Sequence, residues 1–418
     1  MMRRLYTLSL CLLLPYILFH LLWRSRRQPE YLRQVGERFG FYRGKPAAPL
    51  IWLHAVSVGE TRAALPLVTQ LQARYPGHRI LLTHMTPTGR EAGRQMFGDG
   101  VLQCYLPYDF PFAVKRFLNH FRPEIGLLME TEIWFNLVQG CKQAGVPLLL
   151  VNARMSEKSA LKYGRFKTLT RESLQALSAI AAQTGADAER LAGLGATAVQ
   201  LIGNLKFDVA VPRSASDLGK TLRARFGAGR PVFLAASTRE GEEAPMLSAF
   251  AQAGIPGLLT VIVPRHPQRF DQVAEMLTQR GIRFQRRSED QPVAPETAVV
   301  LGDSMGELFA YYAACDLTFI GGSLLPLGGQ NLIEAAAMGK PVLIGPHTFN
   351  FAEASELAIQ ASAALRVADA DELMQAVGDL LKAPERIRAM SAAALAFADR
   401  HRGATGRLMA LIEPYIKR

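Results

Sequence analysis

The stretch Gly321-Gly322-Ser323-Leu324-Leu325-Pro326-Leu327-Gly328-Gly329-Gln330-Asn331-Leu332-Ile333-Glu334-Ala335-Ala336-Ala337-Met338-Gly339-Lys340-Pro341 leaves an apolar run, Leu317 to Ile320, and enters a short alanine-rich segment. An apolar run, then glycines, then good helix formers read as strand, turn and helix. Gly339 ends the helix as a C-cap, and Pro341 to Ile344 restarts as a strand. Glycines ahead of a helix N-terminus leave backbone N–H groups free to cradle a phosphate, and the helix dipole favours the anion. Glu334, one turn in, is placed to accept hydrogen bonds from ribose hydroxyls. A tight strand-to-helix turn with a solvated glutamate is the plainer reading of the same residues.

The alternation extends outward from this segment. Val232 to Ala235, Leu259 to Val263 and Val299 to Leu301 are further short apolar runs with helical patterns between them. Nearer the N-terminus, Leu50 to Leu53, Arg79 to Thr83, Ile125 to Met129, Val146 to Val151, Ile180 to Ala182 and Val199 to Ile202 repeat it, separated by stretches such as Thr61 to Arg74 and Ala113 to Phe121. Buried strands alternating with helices give βαβ units and parallel sheets. A polar, proline-bearing linker at 208–220 divides the series. The expected class is α/β: one Rossmann-like domain at 33–207, a second at 221–395, and a C-terminal helix at 396–418. Two domains suit a chain of 418 residues. Facing lobes of this kind place a ligand cleft at the carboxyl ends of their strands.

Ahead of the first domain, Leu5 to Trp23 is apolar except for Thr7, Ser9, Pro15 and His20, just long enough to cross a bilayer. No small-residue cleavage site follows; Arg24-Ser25-Arg26-Arg27 does, so 1–27 reads as a membrane anchor with basic flanks rather than a signal peptide. The formal net charge is +12, and residues 1 to 45 hold nine Lys and Arg (Arg3, Arg4, Arg24, Arg26, Arg27, Arg33, Arg38, Arg43, Lys45) against Glu30 and Glu37, a local net of +7. An anionic membrane surface explains that block, and a nucleic-acid partner is not expected. Positive charge concentrated after the apolar run puts the globular body on the cytoplasmic side. Cys11, Cys104, Cys141 and Cys315 are far apart and form no CxxC pair, which fits a reducing compartment with neither zinc site nor disulfide framework.

Gly-Gly-Gln-Asn at 328–331, Glu334 and Met338-Gly339-Lys340-Pro341 resemble the donor-nucleotide segment of GT-B glycosyltransferases. Ser57-Val58-Gly59-Glu60, Glu130-Thr131-Glu132-Ile133-Trp134, Gly203-Asn204-Leu205-Lys206, Pro264-Arg265-His266-Pro267 and Gly302-Asp303-Ser304-Met305-Gly306-Glu307-Leu308 are similar to segments of 3-deoxy-D-manno-octulosonic acid (Kdo) transferases. The resemblance runs from the anchor to about residue 350. It implies a GT-B fold and transfer of Kdo from CMP-Kdo to the lipid A precursor (lipid IVA) at the inner face of the cytoplasmic membrane, with a single-pass or monotopic anchor. The residues alone stop at a nucleotide-sugar or related transferase. An epimerase of the same two-lobed class, a scaffold that kept the fold, and a transferase using another nucleotide sugar are the alternatives.

Glu60 begins a helix after the strand Ile51 to Leu53 and the turn His54 to Gly59, and the helix dipole should keep it ionised near neutral pH. A carboxylate there can accept the proton of an attacking sugar hydroxyl, and the resemblance implies that it is the base of an inverting reaction. Glu130 and Glu132 end the strand Ile125 to Met129, pointing the same way if the segment is extended. Glu130 is expected to position the acceptor or stabilise the transition state, and Glu132 to support it. Lys206 can face the departing phosphate or the Kdo carboxylate. On the donor side, Arg265 can fork onto phosphate and His266 can donate or stack, with Pro264 and Pro267 stiffening the turn. Met305, Gly306 and Glu307 are expected to hold the cytosine, and Asn331, Leu332, Ile333 and Glu334 the rest of the nucleotide; Ser237 to Glu240 are weaker candidates. A CMP-sugar carries only one phosphate to neutralise, so neither metal nor cofactor is expected. Arg38, Arg43, Arg62, Arg90, Lys158, Lys162, Arg165 and Lys167 supply the cations expected to face the acceptor's phosphates.

Overall fold

The computed structural model describes every residue except Met1, Arg27, Lys45, Ala210, Ala228 and Arg418. Arg27 and Lys45 of the basic block, Ala210 of the predicted linker, and the end residues of the predicted anchor and tail thus lie outside the described residues. The chain forms two compact units, Met1–Asp208 with Arg402–Arg418, and Val209–His401.

The first unit holds strands β1 (Leu50–His54), β2 (Arg79–His84), β3 (Val101–Tyr105), β4 (Ile125–Met129), β5 (Leu148–Ala153), β6 (Ala179–Ala182) and β7 (Val199–Leu201). They form one parallel sheet in the order β3-β2-β1-β4-β5-β6-β7. Central strands such as β1 and β4 are buried along their whole length, as parallel strands covered on both faces must be. Alternation sends Ile51 and Leu53 into one core and Leu50 and Trp52 into the opposite one. Ala404, Leu408 and Ile412 from the far end of the chain complete the first of these cores.

The second unit holds β8 (Val232–Thr238), β9 (Leu259–Pro264), β10 (Phe284–Arg286), β11 (Val299–Leu301), β12 (Leu317–Ile320), β13 (Val342–Ile344) and β14 (Ala364–Arg366), in the order β10-β11-β9-β8-β12-β13-β14, again all parallel. The strands that the sequence did not reveal, β3, β10 and β14, all lie at sheet edges. An edge strand is covered on fewer sides and lacks the continuous apolar run that marks a central one; β10 is only half-buried throughout.

Three local expectations are corrected. The predicted helix Thr61 to Arg74 is two helices, Val58–Ala63 and Leu65–Arg74, because Pro66 has no N–H to continue the ladder. The predicted linker runs only to Pro212, after which Arg213–Phe226 is helical. Its buried stripe is Ala215, Gly219, Leu222 and Phe226; two of these are small residues that do not read as apolar, but Gly219 lets the helix press against Ala313, where a Cβ would sit 2.3 Å from that methyl. The tail is not one helix: Pro384–His401 ends before Gly403, whose φ of 88° breaks the run, and Ala404–Ile412 follows.

The N-terminal apolar segment is one helix, Met2–Ser25, long and apolar enough to cross a membrane by length and composition. It is nonetheless tied to the first unit near its start: Tyr6 Oη donates to Asp109 Oδ2 (3.0 Å), Thr7 Oγ1 pairs with Asn136 Oδ1 (3.2 Å), and the Tyr6 ring meets Phe135 edge-on. At the other end Leu21 is buried and Arg24 lies over the Tyr31 ring. Between these ties Leu12, Leu13, Tyr16, Phe19 and Leu22 are exposed.

Candidate active site

In an open parallel sheet the ligand crevice opens at the carboxyl ends of the strands where strand order reverses. In the first sheet that point lies between β1 and β4, and the carboxylates predicted from sequence follow these two strands. Ser57 caps the helix Val58–Ala63: its Oγ accepts from Glu60 N (3.3 Å) and donates to Glu60 Oε1 (2.8 Å). Glu60 Oε2 accepts from Val56 N (2.8 Å). This is a variant of the S-x-x-E capping box, with Val56 N in place of the N-cap N–H, and it turns the Glu60 carboxylate back over the end of β1. Burial pushes its pKa up to about 7, with the neighbouring charges of Glu130 and Glu132 adding to the rise and the Val56 and Ser57 hydrogen bonds opposing it. The expectation of an ordinarily ionised glutamate is therefore corrected: desolvation and two like charges outweigh the helix end.

Glu130 adopts φ 57°, so the segment after β4 is not extended and simple alternation does not apply. Its Oε1 lies 3.7 Å from Lys206 Nζ. Glu132 accepts from Trp134 Nε1 (2.5 Å), and burial raises its pKa. Lys206 sits on a short 3₁₀ turn, Leu205–Phe207, fastened to the ends of β5 and β6: Leu205 N donates to Asn152 Oδ1 (3.0 Å), Asn204 Nδ2 to Gln183 Oε1 (2.8 Å), Gln183 Nε2 to Asn152 O (2.7 Å), and Lys206 N to Asn204 Oδ1 (3.0 Å). Asn152 itself has φ 50°, which asparagine tolerates better than most residues. The structure thus brings Glu60, Glu130, Glu132 and Lys206 into one neighbourhood.

Of the cations expected to face an acceptor, Arg38 and Arg90 are withdrawn. Both are buried, with their guanidinium groups 4.1 and 4.9 Å from the centre of the Tyr105 ring; Arg38 donates to Met85 O, and Arg90 pairs with Glu37 (2.8 Å). They fasten the segment before β1 to the sheet. Arg43, Arg62, Lys158, Lys162, Arg165 and Lys167 are exposed, and Leu161 and Phe166 stand exposed among the last four.

In the second sheet the order reverses between β8 and β12. Gly321, directly after β12, lies so close to β8 that a Cβ would fall 2.4 Å from Ser237 O. The expected phosphate cradle is not available there: Gly322 N and Leu324 N donate to the carboxylate of Glu242 (2.6 and 3.0 Å). Gly329 N and Gln330 N close the loop onto Gly322 O and Gly321 O. Helix Leu332–Ala337 is short, with Asn331 Oδ1 accepting from Ile333 N (3.1 Å) and Asn331 Nδ2 donating to Glu334 Oε1 (3.0 Å). Leu332 and Ile333 point into the core, which leaves only their backbone for a ligand. Arg265 N donates to Thr238 O (2.9 Å), bringing the Pro264–His266 turn beside the end of β8. Glu243, fully buried, accepts from Thr238 Oγ1 (2.9 Å) and from Arg269 Nη2 (3.1 Å), bracing the same turn. Met305 is exposed, Gly306 has φ 81°, and Glu307 accepts from Ser304 Oγ (2.6 Å) and Arg287 Nη2 (3.2 Å).

A family model described as 3-deoxy-D-manno-octulosonic-acid transferase (kdotransferase) matches residues 33–209. The 3-deoxy-D-manno-octulosonic acid transferase of Bordetella pertussis is 45% identical over 431 residues, covering 99% of either chain. The chain belongs to the Kdo transferases. The transferase of the same description from Haemophilus influenzae is 39% identical over the full length of both chains. In fold, this Kdo transferase is similar to the UDP-GlcNAc 2-epimerase of Neisseria meningitidis, with a TM-score of 0.57 at 15% identity, covering 88% of this chain and all of that one. It is a glycosyltransferase with a GT-B fold, as its motifs implied. Asn152, Gln183, Glu242 and Glu243 escaped the sequence reading. A polar residue inside an apolar strand, as at Asn152, is the one signal that marks such a position; Glu242 and Glu243 look like an ordinary acidic helix start.

Proposed function

We propose that this transferase moves Kdo from CMP-Kdo to a hydroxyl of the lipid A precursor, inverting the anomeric carbon in a single displacement without a metal ion. Glu60 is the general base, Glu130 and Lys206 stabilise the transition state, and the second unit takes the CMP moiety through Pro264, Arg265, His266, Met305, Gly306, Glu307, Asn331 and Glu334 and the backbone of Leu332 and Ile333. The observation that carries this reading is Glu60 at the β1 end of the switch point with its pKa near 7, where a base is half-ionised and strong enough to matter. One phosphate on the donor needs no divalent cation, and Lys206 beside Glu130 supplies positive charge. Among the described residues no three His, Cys, Asp or Glu side chains converge to hold an ion.

The helix Met2–Ser25, about 36 Å long, is proposed to lie in the interface of the inner membrane, its exposed leucines and aromatics among the lipids and the body on the cytoplasmic side. The exposed cations around Leu161 and Phe166 suit the phosphates of the acceptor and of anionic headgroups.

Incubating the purified protein with CMP-Kdo and lipid A precursor, then weighing the lipid, tests the reaction: the lipid gains the mass of one or more Kdo residues and CMP is released. Conversion of a nucleotide sugar with no acceptor present, or no lipid product at all, overturns the proposal. The base assignment also predicts a pH profile. Only ionised Glu60 accepts a proton, so kcat/KM falls about tenfold per unit as pH drops below about 7. In Glu130→Gln a like charge is gone, which lowers the Glu60 pKa; the midpoint of the acid limb moves to lower pH even though the absolute rate falls. A limb that stays in place places the titrating group elsewhere.

A further inference from the structure

We infer that Glu242 is a built-in anion: its carboxylate fills the N–H cradle of the turn after β12 and so acts as a positioning residue that shapes the donor loop before any donor arrives. Its donor half rests on the reading of the second unit as the CMP-sugar unit; its structural half does not.

Three backbone N–H groups converge on this side chain. Gly322 N and Arg239 N donate to Oε2 at 2.6 and 2.9 Å, and Leu324 N donates to Oε1 at 3.0 Å. Glu242 is fully buried. Each oxygen receives a donor, the arrangement a carboxylate wants and a carboxylic acid does not. Successive backbone N–H groups turned into one concavity are what a phosphate-binding turn offers its ligand. Here the chain's own carboxylate, from a residue 80 positions earlier, has taken that place. Without it, buried Gly322 would carry an unpaired donor, which folded proteins avoid, and half-buried Leu324 would lose its partner.

The location gives the contact its consequence. Glu242 follows β8 and the turn follows β12, the two strands flanking the switch point of this sheet. Gly329 N and Gln330 N return to Gly322 O and Gly321 O, so holding residues 322–324 also fixes where Asn331 and Glu334 begin their helix. A loop preset in this way saves the ordering cost of binding, so its loss is felt in donor affinity rather than in the chemical step.

The test uses the full-length protein, CMP as probe and formate as a substitute carboxylate. Glu242→Gln keeps the shape but turns an NH₂ group against Leu324 N–H. It is expected to weaken CMP binding by calorimetry at least about tenfold and to raise KM for CMP-Kdo similarly, with kcat within about threefold of wild type. Glu242→Ala empties the cradle, and millimolar formate is expected to raise its Tm and restore CMP affinity while leaving the wild type unmoved. Wild-type CMP affinity in Glu242→Gln, or no response of Glu242→Ala to formate, overturns the inference. If Glu242→Ala does not fold, Glu242→Gln decides. If wild type itself binds no CMP, the reading of this unit as the donor unit is what fails, and the formate-dependent Tm of Glu242→Ala still judges the caged anion.

Discussion

Glu60→Gln is expected to lower kcat for Kdo transfer by about 10²- to 10⁴-fold, the range a positioned general base contributes, while its Tm stays close to that of wild type. The glutamine is isosteric, and its carbonyl oxygen can still accept from Val56 N as the carboxylate does at 2.8 Å. The capping box is thereby kept in part, and only the ability to take a proton is removed. Glu60→Ala loses both functions: the hydrogen bonds from Val56 N and Ser57 Oγ go with the side chain, so a stability loss of about 1 kcal/mol accompanies the same loss of turnover. The pair of variants separates the cap from the base. Rates near wild type in Glu60→Gln would show that the capping role is the whole of what Glu60 does.

The second large effect is expected at Gly321→Ala, which should destabilise the second unit by about 3 kcal/mol or more. The reason is a backbone contact rather than a flexible side chain. An added Cβ would stand 2.4 Å from Ser237 O and 2.6 Å from Thr238 Cα, both part of β8, which is fully buried and hydrogen-bonded on both sides. Relief requires β8 and β12 to separate at the switch point, which also drags Gly322 away from Glu242. Gly77→Ala is the control, since a Cβ there meets nothing within 4 Å. Chemical denaturation of the two variants beside wild type checks the prediction, and equal midpoints for all three would refute it.

Gly321 also illustrates what is legible locally. A glycine pair after an apolar run correctly marked a strand-to-helix turn, but glycine has two uses there, and sequence does not separate them. One exposes N–H groups to a ligand; the other lets two backbones touch. The distance from Gly321 to Ser237 and the bond from Gly322 to Glu242 favour the second. Arg38 and Arg90 teach the same about charge. An arginine of the first unit reads from sequence as a surface cation, yet a planar guanidinium packs on Tyr105 as readily as it meets phosphate.

By itself the sequence determined the succession of central strands, the restart of the pattern in a second unit, the apolar N-terminal helix, and a helix start beside Glu60. These rest on short-range physics: a β-strand buried on both faces needs a continuous apolar run, and a cap needs partners only three residues apart. Tertiary structure alone decided the edge strands β3, β10 and β14, the burial of Arg38 and Arg90, the Lys206 turn pinned by Asn152 and Gln183, and the cradle filled by Glu242. It also decided the state of Glu60, whose pKa near 7 comes from burial and from Glu130 and Glu132 in the turn after a different strand. Desolvation and Coulomb energy depend on distance through space, and the chain brings those carboxylates together only by folding.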